Sequence, residues 1–177
     1  MRKKILVRGP CLTRSGYGEH ARFVIRSLRA REDIFDIYVI PVGWGQTGWT
    51  AEDNEERAWL DERIKATAIY THQKGQFDIS LQVTIPNEWE RLAPINIGVT
   101  AGIETTKVAP VWLEKANIMD KIITISEHSK WGFTNTTYQG QNSQTGEPMT
   151  LACSVPVEIV HYPVKTYATL PELELNL

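Results

Sequence analysis

Cysteine is scarce in this sequence, which has two cysteines in 177 residues, Cys11 and Cys153. Neither stands in the CxxC spacing of a zinc or redox site, and a single pair does not indicate a disulfide-stapled scaffold. We therefore expect a protein of the reducing cytoplasm. The four histidines are scattered without metal-ligand spacing, so the sequence predicts no metal site.

Long apolar runs are also missing. No run approaches the roughly 18 residues that a membrane-spanning helix needs, so no transmembrane segment is predicted. The opening stretch MRKKILVRGP begins like a signal peptide, but its apolar run is only ILV and Arg8 interrupts it. The stretch is better interpreted as a first buried strand.

The chain has no excess of basic residues. It carries 19 Lys and Arg against 21 Asp and Glu, a formal net charge of -2, so general nucleic-acid binding is disfavoured. The 42% hydrophobic and 23% charged composition is that of a globular protein able to bury a core. The length fits one domain.

Short β-branched runs alternate along the chain with longer helical patterns, which is typical of βαβ units around a parallel sheet. Most of the runs are almost continuously apolar, as expected of strands covered by helices on both faces. We therefore predict an α/β fold with a Rossmann-like parallel sheet of about six strands and helices on both faces. The predicted strands are 4–7, 35–42, 77–83, 95–101, 121–126 and 157–162.

Four helices are predicted between these strands. In the first, Ala21, Val24, Ile25 and Leu28 recur at the i, i+3, i+4 and i+7 positions of an amphipathic helix. The second is predicted within 50–75, opening with Thr50 and Asp53 in capping-box spacing. The third follows Thr105 or Thr106 with Pro110 early in it, the fourth follows Ser126 through 127–138, and 139–150 is interpreted as an exposed loop or hairpin tip.

The loop after the first strand, LTRSGYGEHAR, is the most specific feature. Gly16 and Gly18 leave room for backbone amides at a helix start to approach an anion, and Ser15 could either cap the helix or donate from its hydroxyl. A turn that caps a helix and binds nothing is the alternative. The loop matches neither GxxxxGK[ST] nor GxGxxG. His20, one turn further, could face a ligand, although a histidine at a helix start is more often a surface or capping residue.

The carboxyl ends of parallel strands share one edge of the sheet, where ligands of such folds bind. The loops at this edge contain Trp44, Trp49 and Trp89, which could stack on sugar rings or could simply pack over the strand ends. They also contain Ser126 and Glu127, directly after the fifth predicted strand.

The ordered segments resemble the N-terminal lobe of a two-lobed glycosyltransferase of the GT-B type, and are most similar to the retaining family 4 enzymes. Four stretches carry the resemblance: ILVRGPCLTRSGYGEHARFVIRSL, INIGVTAGIETTK, DKIITISEHSKWGF and VEIVHYPV. Each is loosely patterned, and the resemblance lies in their order and spacing over nearly the whole chain.

This resemblance implies transfer of a sugar from a nucleotide-diphosphate sugar to a carbohydrate or other hydroxyl acceptor, without a metal or cofactor. It places the glycine loop against the donor diphosphate and the acceptor. Many relatives carry a histidine in the loop after the fourth strand, where this sequence has Gly102, so that contact is either missing or supplied differently, by Glu104 or His20. The implied diphosphate and acceptor loop is Ser15, Gly16, Tyr17 and Gly18, and the implied cleft lining is Gly102, Ile103, Thr105, Thr106, Ser126, Glu127 and Trp44.

The resemblance also implies that 1–164 form the acceptor-side lobe and that 165–177 begin an inter-lobe linker. The donor-binding lobe does not fit in this chain, so it would be supplied in cis or in trans, and the chain alone is expected to be inactive. Two other hypotheses remain at this point. One is a stand-alone α/β module that binds a small anion or sugar without catalysis, and the other is a scaffold that forms a homodimer.

Overall fold

The computed structural model describes residues 2–141 and 146–164. Its eight strands are β1 Lys3–Gly9, β2 Phe35–Pro41, β3 Ile79–Val83, β4 Ile95–Thr100, β5 Lys121–Thr124, β6 Thr137–Gln141, β7 Pro148–Ala152 and β8 Val157–Ile159. Six of them form one parallel sheet in the order β2-β1-β3-β4-β5-β8, and β6 and β7 form an antiparallel hairpin. Each of the six predicted strands is present. The α/β, Rossmann-like prediction is therefore confirmed.

Within the described residues, four α-helices connect the strands: α1 Gly16–Arg29, α2 Glu55–His72, α3 Pro110–Ala116 and α4 Glu127–Asn135. The amphipathic pattern located α1 correctly, since Ala21 and Ile25 are buried on its inner face. Ser126 caps α4 as expected, because its hydroxyl accepts a hydrogen bond from the amide of Ser129. This helix ends at Asn135, earlier than predicted, since Tyr138 belongs to β6.

The predicted starts of two other helices are wrong. Helix α2 begins five residues after Thr50, with Asn54 as its N-cap accepting from the amide of Arg57 at 2.9 Å. The Thr50 hydroxyl instead donates to the carbonyl of Leu12, because a tertiary contact competes with the local cap. Helix α3 begins at Pro110 rather than after Thr105 or Thr106, since proline suits the first helical position and disfavours helix for the residue before it.

The hairpin interpretation of 139–150 is confirmed at its two arms. Gln139 pairs with Thr150 in the antiparallel ladder between β6 and β7. The central residues of this predicted segment, 142–145, and the predicted linker at 165–177 lie outside the described residues.

The two faces of the parallel sheet are covered differently. One face carries Val7, Leu81 and Val99 into a core shared with α1. The opposite face carries Ile122 and Val157 into a second core with α3, α4 and the hairpin. A groove of about 200 Å³ is left open on the first face beside α1, with Leu81, Val99 and Ile123 as its floor.

The strand order creates a reversal at the centre of the sheet. The chain moves from β1 to one side to form β2, and then returns past β1 to form β3. In open parallel sheets, ligands bind beyond the carboxyl ends of the strands at such a switch point. A ligand site of this fold is therefore expected at the loops after β1, β3 and β4. Among the described residues, no helix combines the length and the apolar character needed to cross a bilayer.

Candidate functional site

The glycine loop lies at the switch point, between the end of β1 and the start of α1. Ser15 is the N-cap of α1, and its hydroxyl accepts a hydrogen bond from the amide of Gly18 at 2.9 Å. The Thr13 hydroxyl lies 2.8 Å from the Ser15 hydroxyl and holds it in place. Capping is therefore the role that the structure gives to Ser15.

The first amides of α1 remain available. Within 2–141 and 146–164, the amides of Gly16 and Tyr17 have no hydrogen-bond partner. The first amides of any helix lack intrahelical acceptors, and the helix dipole makes this end attractive to negative charge. The loop thus offers two amide donors to an anion.

The two glycines of the loop have different environments. A Cβ built on Gly18 would lie 2.2 Å from the carbonyl oxygen of Thr13, so the loop backbone itself occupies that space. A Cβ built on Gly16 would meet nothing within 4 Å, and Gly16 is exposed. Gly18 is required for internal packing, whereas the space beside Gly16 is open.

Tyr17 connects the glycine loop to the loop after β4. Its hydroxyl lies 2.8 Å from the Thr100 hydroxyl and accepts a hydrogen bond from the amide of Ala101 at 3.3 Å. Burial raises the pKa of the Tyr17 hydroxyl, which therefore stays protonated at neutral pH. This contact fixes the relative position of the two loops that the resemblance assigns to one cleft.

Two carboxylates act electrostatically on the pKa of this tyrosine. Glu104, from the loop after β4, and Glu88, from the short 3-10 helix Pro86–Glu88 after β3, both act on the pKa of Tyr17 in the direction of raising it. Both side chains belong to exposed residues.

The loop after β4 is held by a sharp backbone turn. Gly102 has φ 88°, and a Cβ there would lie 2.3 Å from the Ser129 hydroxyl, so only glycine fits. The Ser129 hydroxyl donates to the carbonyl of Ala101 and lies 3.0 Å from the hydroxyl of Ser126. The start of α4 therefore supports this loop.

The other residues of this predicted cleft lining lie in several environments. Ile103 packs against the second core. The Thr105 hydroxyl donates to the carbonyl of Lys107 at 2.9 Å. Thr106 and Glu127 are exposed, and Ser126 serves as the cap of α4.

His20 lies in the wall of the groove on the sheet face. Only 5% of the residue is exposed, and its ring packs edge-on against Tyr162 at 4.9 Å between centroids. Burial lowers the pKa of His20 to about 4, so the imidazole is neutral at pH 7. Its Nδ1 atom is buried and has no hydrogen-bond partner among the described residues.

The three tryptophans at the predicted ligand edge have different environments. Trp89 is fully buried, and its ring fills the space over Gly98, so packing is its role. Trp44 packs against the ring of Tyr17 with 4.4 Å between centroids. Trp49 is 58% exposed.

Reasoning from the sequence does not single out Thr100 or Glu88. Thr100 lies one residue before the end of the predicted strand 95–101, and its role depends on a partner 83 positions away. The proximity of Glu88 to Tyr17 depends on how the loop after β3 folds, which no local pattern specifies. The one available signal is that both residues end or follow strands next to the switch point.

Comparison with protein-family models, with curated proteins and with solved structures found no match to this chain. The class that the structure defines is an α/β protein with a six-stranded parallel sheet. Among the described residues, no three His, Cys, Asp or Glu side chains are grouped so that they could hold a metal ion.

Proposed function

We propose that the chain is the acceptor-side lobe of a retaining GT-B glycosyltransferase, which moves a sugar from a nucleotide-diphosphate sugar to a hydroxyl acceptor. The observation that best supports this is the contact of Tyr17 with Thr100 and Ala101. It joins a helix start with free amides to the loop of Glu104 at the switch point, where such folds bind ligands.

The proposal divides the chemistry between these parts. The amides of Gly16 and Tyr17 would face the diphosphate, since a helix start stabilises negative charge. Glu104 would accept a hydrogen bond from a hydroxyl of the sugar or of the acceptor. The neutral His20 lies in the wall of the groove on the sheet face, so it would contact a ligand only from that groove. The nucleotide would be held by a second lobe, in cis or in trans.

The test uses the full two-lobed protein. Its second lobe is either encoded downstream in the same reading frame or supplied by a partner chain. We expect Gly16→Val to reduce transfer by at least about a hundredfold, because a branched side chain would block the approach to the amides. The fold should persist, since a Cβ at Gly16 meets nothing within 4 Å.

Gly140→Val is the matched control. A Cβ built on Gly140 also meets nothing within 4 Å, and this residue lies in the hairpin. Equal turnover of both variants would remove the glycine loop from the mechanism. If no second lobe is encoded downstream or supplied by a partner, the transferase proposal fails.

A stand-alone module that binds a small anion or sugar is the second candidate, which the same free amides favour. Calorimetry on the 177-residue chain with phosphate, free sugars and nucleotide sugars separates the two. Tight binding of a nucleotide sugar by this chain alone contradicts a site divided between two lobes.

A further inference from the structure

We propose that the groove beside α1 binds a small neutral ligand made of one ring and a hydroxyl group. This site goes beyond the proposed sugar transfer, because the groove lies on a face of the sheet. Its floor is formed by residues of β3, β4 and β5, and its sides are formed by α1 and by the segment that follows β8.

The size of the groove limits the ligand. Its volume is about 200 Å³, and its floor is aliphatic, with Leu81, Val99 and Ile123. An apolar cavity of roughly 150 Å³ holds a benzene ring. The groove therefore has room for one ring with a short substituent, and a ligand that covers the floor removes apolar surface from water.

Two aromatic side chains at the groove favour a ring over an alkyl chain. Phe23 of α1 and Tyr162, after β8, both line the groove, and their rings lie 6.0 Å apart between centroids at an interplanar angle of 53°. Tyr162 is 38% exposed and Phe23 is half-buried. Tilted aromatic rings at such distances attract each other beyond the burial of their area, so a ligand ring gains contacts here that an alkyl chain does not.

His20 provides the polar contact. The residue lines the groove and is only 5% exposed, and its Nδ1 atom is buried without a hydrogen-bond partner among residues 2–141 and 146–164. A buried polar atom without a partner costs free energy, which a bound ligand would recover. A hydroxyl both donates and accepts, so it satisfies this nitrogen in either imidazole tautomer. The ring of Tyr162 packs edge-on against His20, so the ligand reaches Nδ1 by displacing this ring.

The groove has no fixed charge to offer an ion. None of the described residues that line it is Asp, Glu, Lys or Arg. Burial lowers the pKa of His20 to about 4, so this imidazole is uncharged at pH 7. A charged ligand would lose its hydration here without a compensating partner, which makes the site selective for neutral compounds.

The experiment titrates compounds of similar size into the 177-residue chain at neutral pH. Benzyl alcohol has the ring and the hydroxyl, toluene lacks the hydroxyl, and benzoate and benzylammonium are charged. We expect benzyl alcohol to shift the methyl NMR resonances of Leu81, Val99 and Ile123. Toluene should bind at least about fivefold more weakly, because it leaves Nδ1 of His20 unpaired. The two ions should not shift these resonances at the same concentrations.

Two variants separate the parts of the site. His20→Leu should remove the preference for benzyl alcohol, so that it binds as toluene does. Ser27→Phe should weaken the binding of benzyl alcohol by at least about tenfold, because Ser27 lines the groove at an exposed position of α1 and a phenyl ring there fills it. Thr134→Phe is the matched control. The hydroxyls of Ser27 and Thr134 both donate to the carbonyl four residues earlier in an exposed helical position, but Thr134 lies on α4.

The proposal is overturned if benzyl alcohol does not bind, if toluene or an ion binds as well, or if Ser27→Phe binds as the control does. A preference for benzyl alcohol that survives in His20→Leu also overturns it. Equal shifts of the Ile64 methyl, which lines an apolar pocket between β2 and α2, would mean unspecific partitioning and reject the site. A dimer in sedimentation at the NMR concentration, with the second copy covering the groove, would replace the small ligand by a protein partner and reject it as well.

Discussion

His20 is held neutral by its surroundings. The imidazole is buried against Tyr162 and near Tyr17, and burial lowers its pKa from 6.5 to about 4. Between these two values the unfolded chain binds a proton that the folded chain does not, so folding stability rises with pH through this range and is lost as the pH falls.

We therefore predict that His20→Leu removes a pH-dependent part of the unfolding free energy. Between pH 7 and pH 5 the unfolding free energy of the wild-type protein should fall by about 2 kcal/mol more than that of the variant, because the pKa of His20 is shifted on folding. Urea unfolding at the two pH values measures it. Equal losses in the wild-type protein and the His20→Leu variant would contradict the prediction.

At this scale the sequence limits the roles that a residue can have but does not choose among them. The pattern SGYG predicts that an anion approaches the backbone closely at both glycines. Only the folded loop shows that the backbone of Thr13 occupies the space at Gly18. Similarly, Ser15 could cap or donate, and its partner is decided by the geometry of the first helical turn. The type of a residue limits which contacts its side chain can make, and the residues around it determine which of these contacts forms.

The Thr67 side chain of helix α2 provides a hydrogen-bond partner to the free edge of the sheet. The Thr67 hydroxyl accepts a hydrogen bond from the amide of Val39 at 2.8 Å and donates to the carbonyl of Arg63 at 2.7 Å. Val39 belongs to β2, the outermost strand on that side, whose outward amides would otherwise have no ladder partner. This side chain therefore satisfies a buried amide at the edge of the sheet.

We predict that Thr67→Val destabilises the protein by about 1 to 3 kcal/mol, because the shape is kept while the buried amide of Val39 loses its acceptor. Chemical denaturation of the purified variant measures this loss. The control is Thr134→Val, since the Thr134 hydroxyl also donates to a carbonyl four residues earlier but is exposed. A similar loss in both variants would mean that the helical bond, and not the edge contact, carries the effect.

The elements themselves can be predicted to different extents. Apolar runs locate all six sheet strands, because a strand buried on both faces leaves a continuous signal in the sequence. The start of α2 is misplaced because Thr50 bonds to Leu12, 38 residues away, instead of capping the helix. Local patterns therefore predict whether an element is a helix or a strand, whereas its first residue can depend on a contact with a distant residue.

On the scale of the whole molecule, one sheet joins two cores. The core of α1 and the core of α3 and α4 lie on opposite faces of the same strands, so neither can open without exposing the other. The hairpin of β6 and β7 packs on the second core through Tyr138 and Leu151, while most of its other described residues are exposed. The strand order, which sets the switch point, is not predicted from the sequence, because it is decided by these packing contacts.

From this arrangement we predict two levels of protection against amide hydrogen exchange, one for the parallel sheet and one for the hairpin. The amides of Leu6, Val7, Leu81 and Val99 lie in central strands and should exchange only through global unfolding, whereas Gly140 and Thr150 in the hairpin should exchange on the order of a hundredfold faster or more. The reason is that opening an exposed two-stranded ladder uncovers little apolar surface, while opening the sheet uncovers both cores. Amide exchange followed by NMR at neutral pH measures both sets in one sample, and equal protection would show that the hairpin belongs to the cooperative unit formed by the sheet.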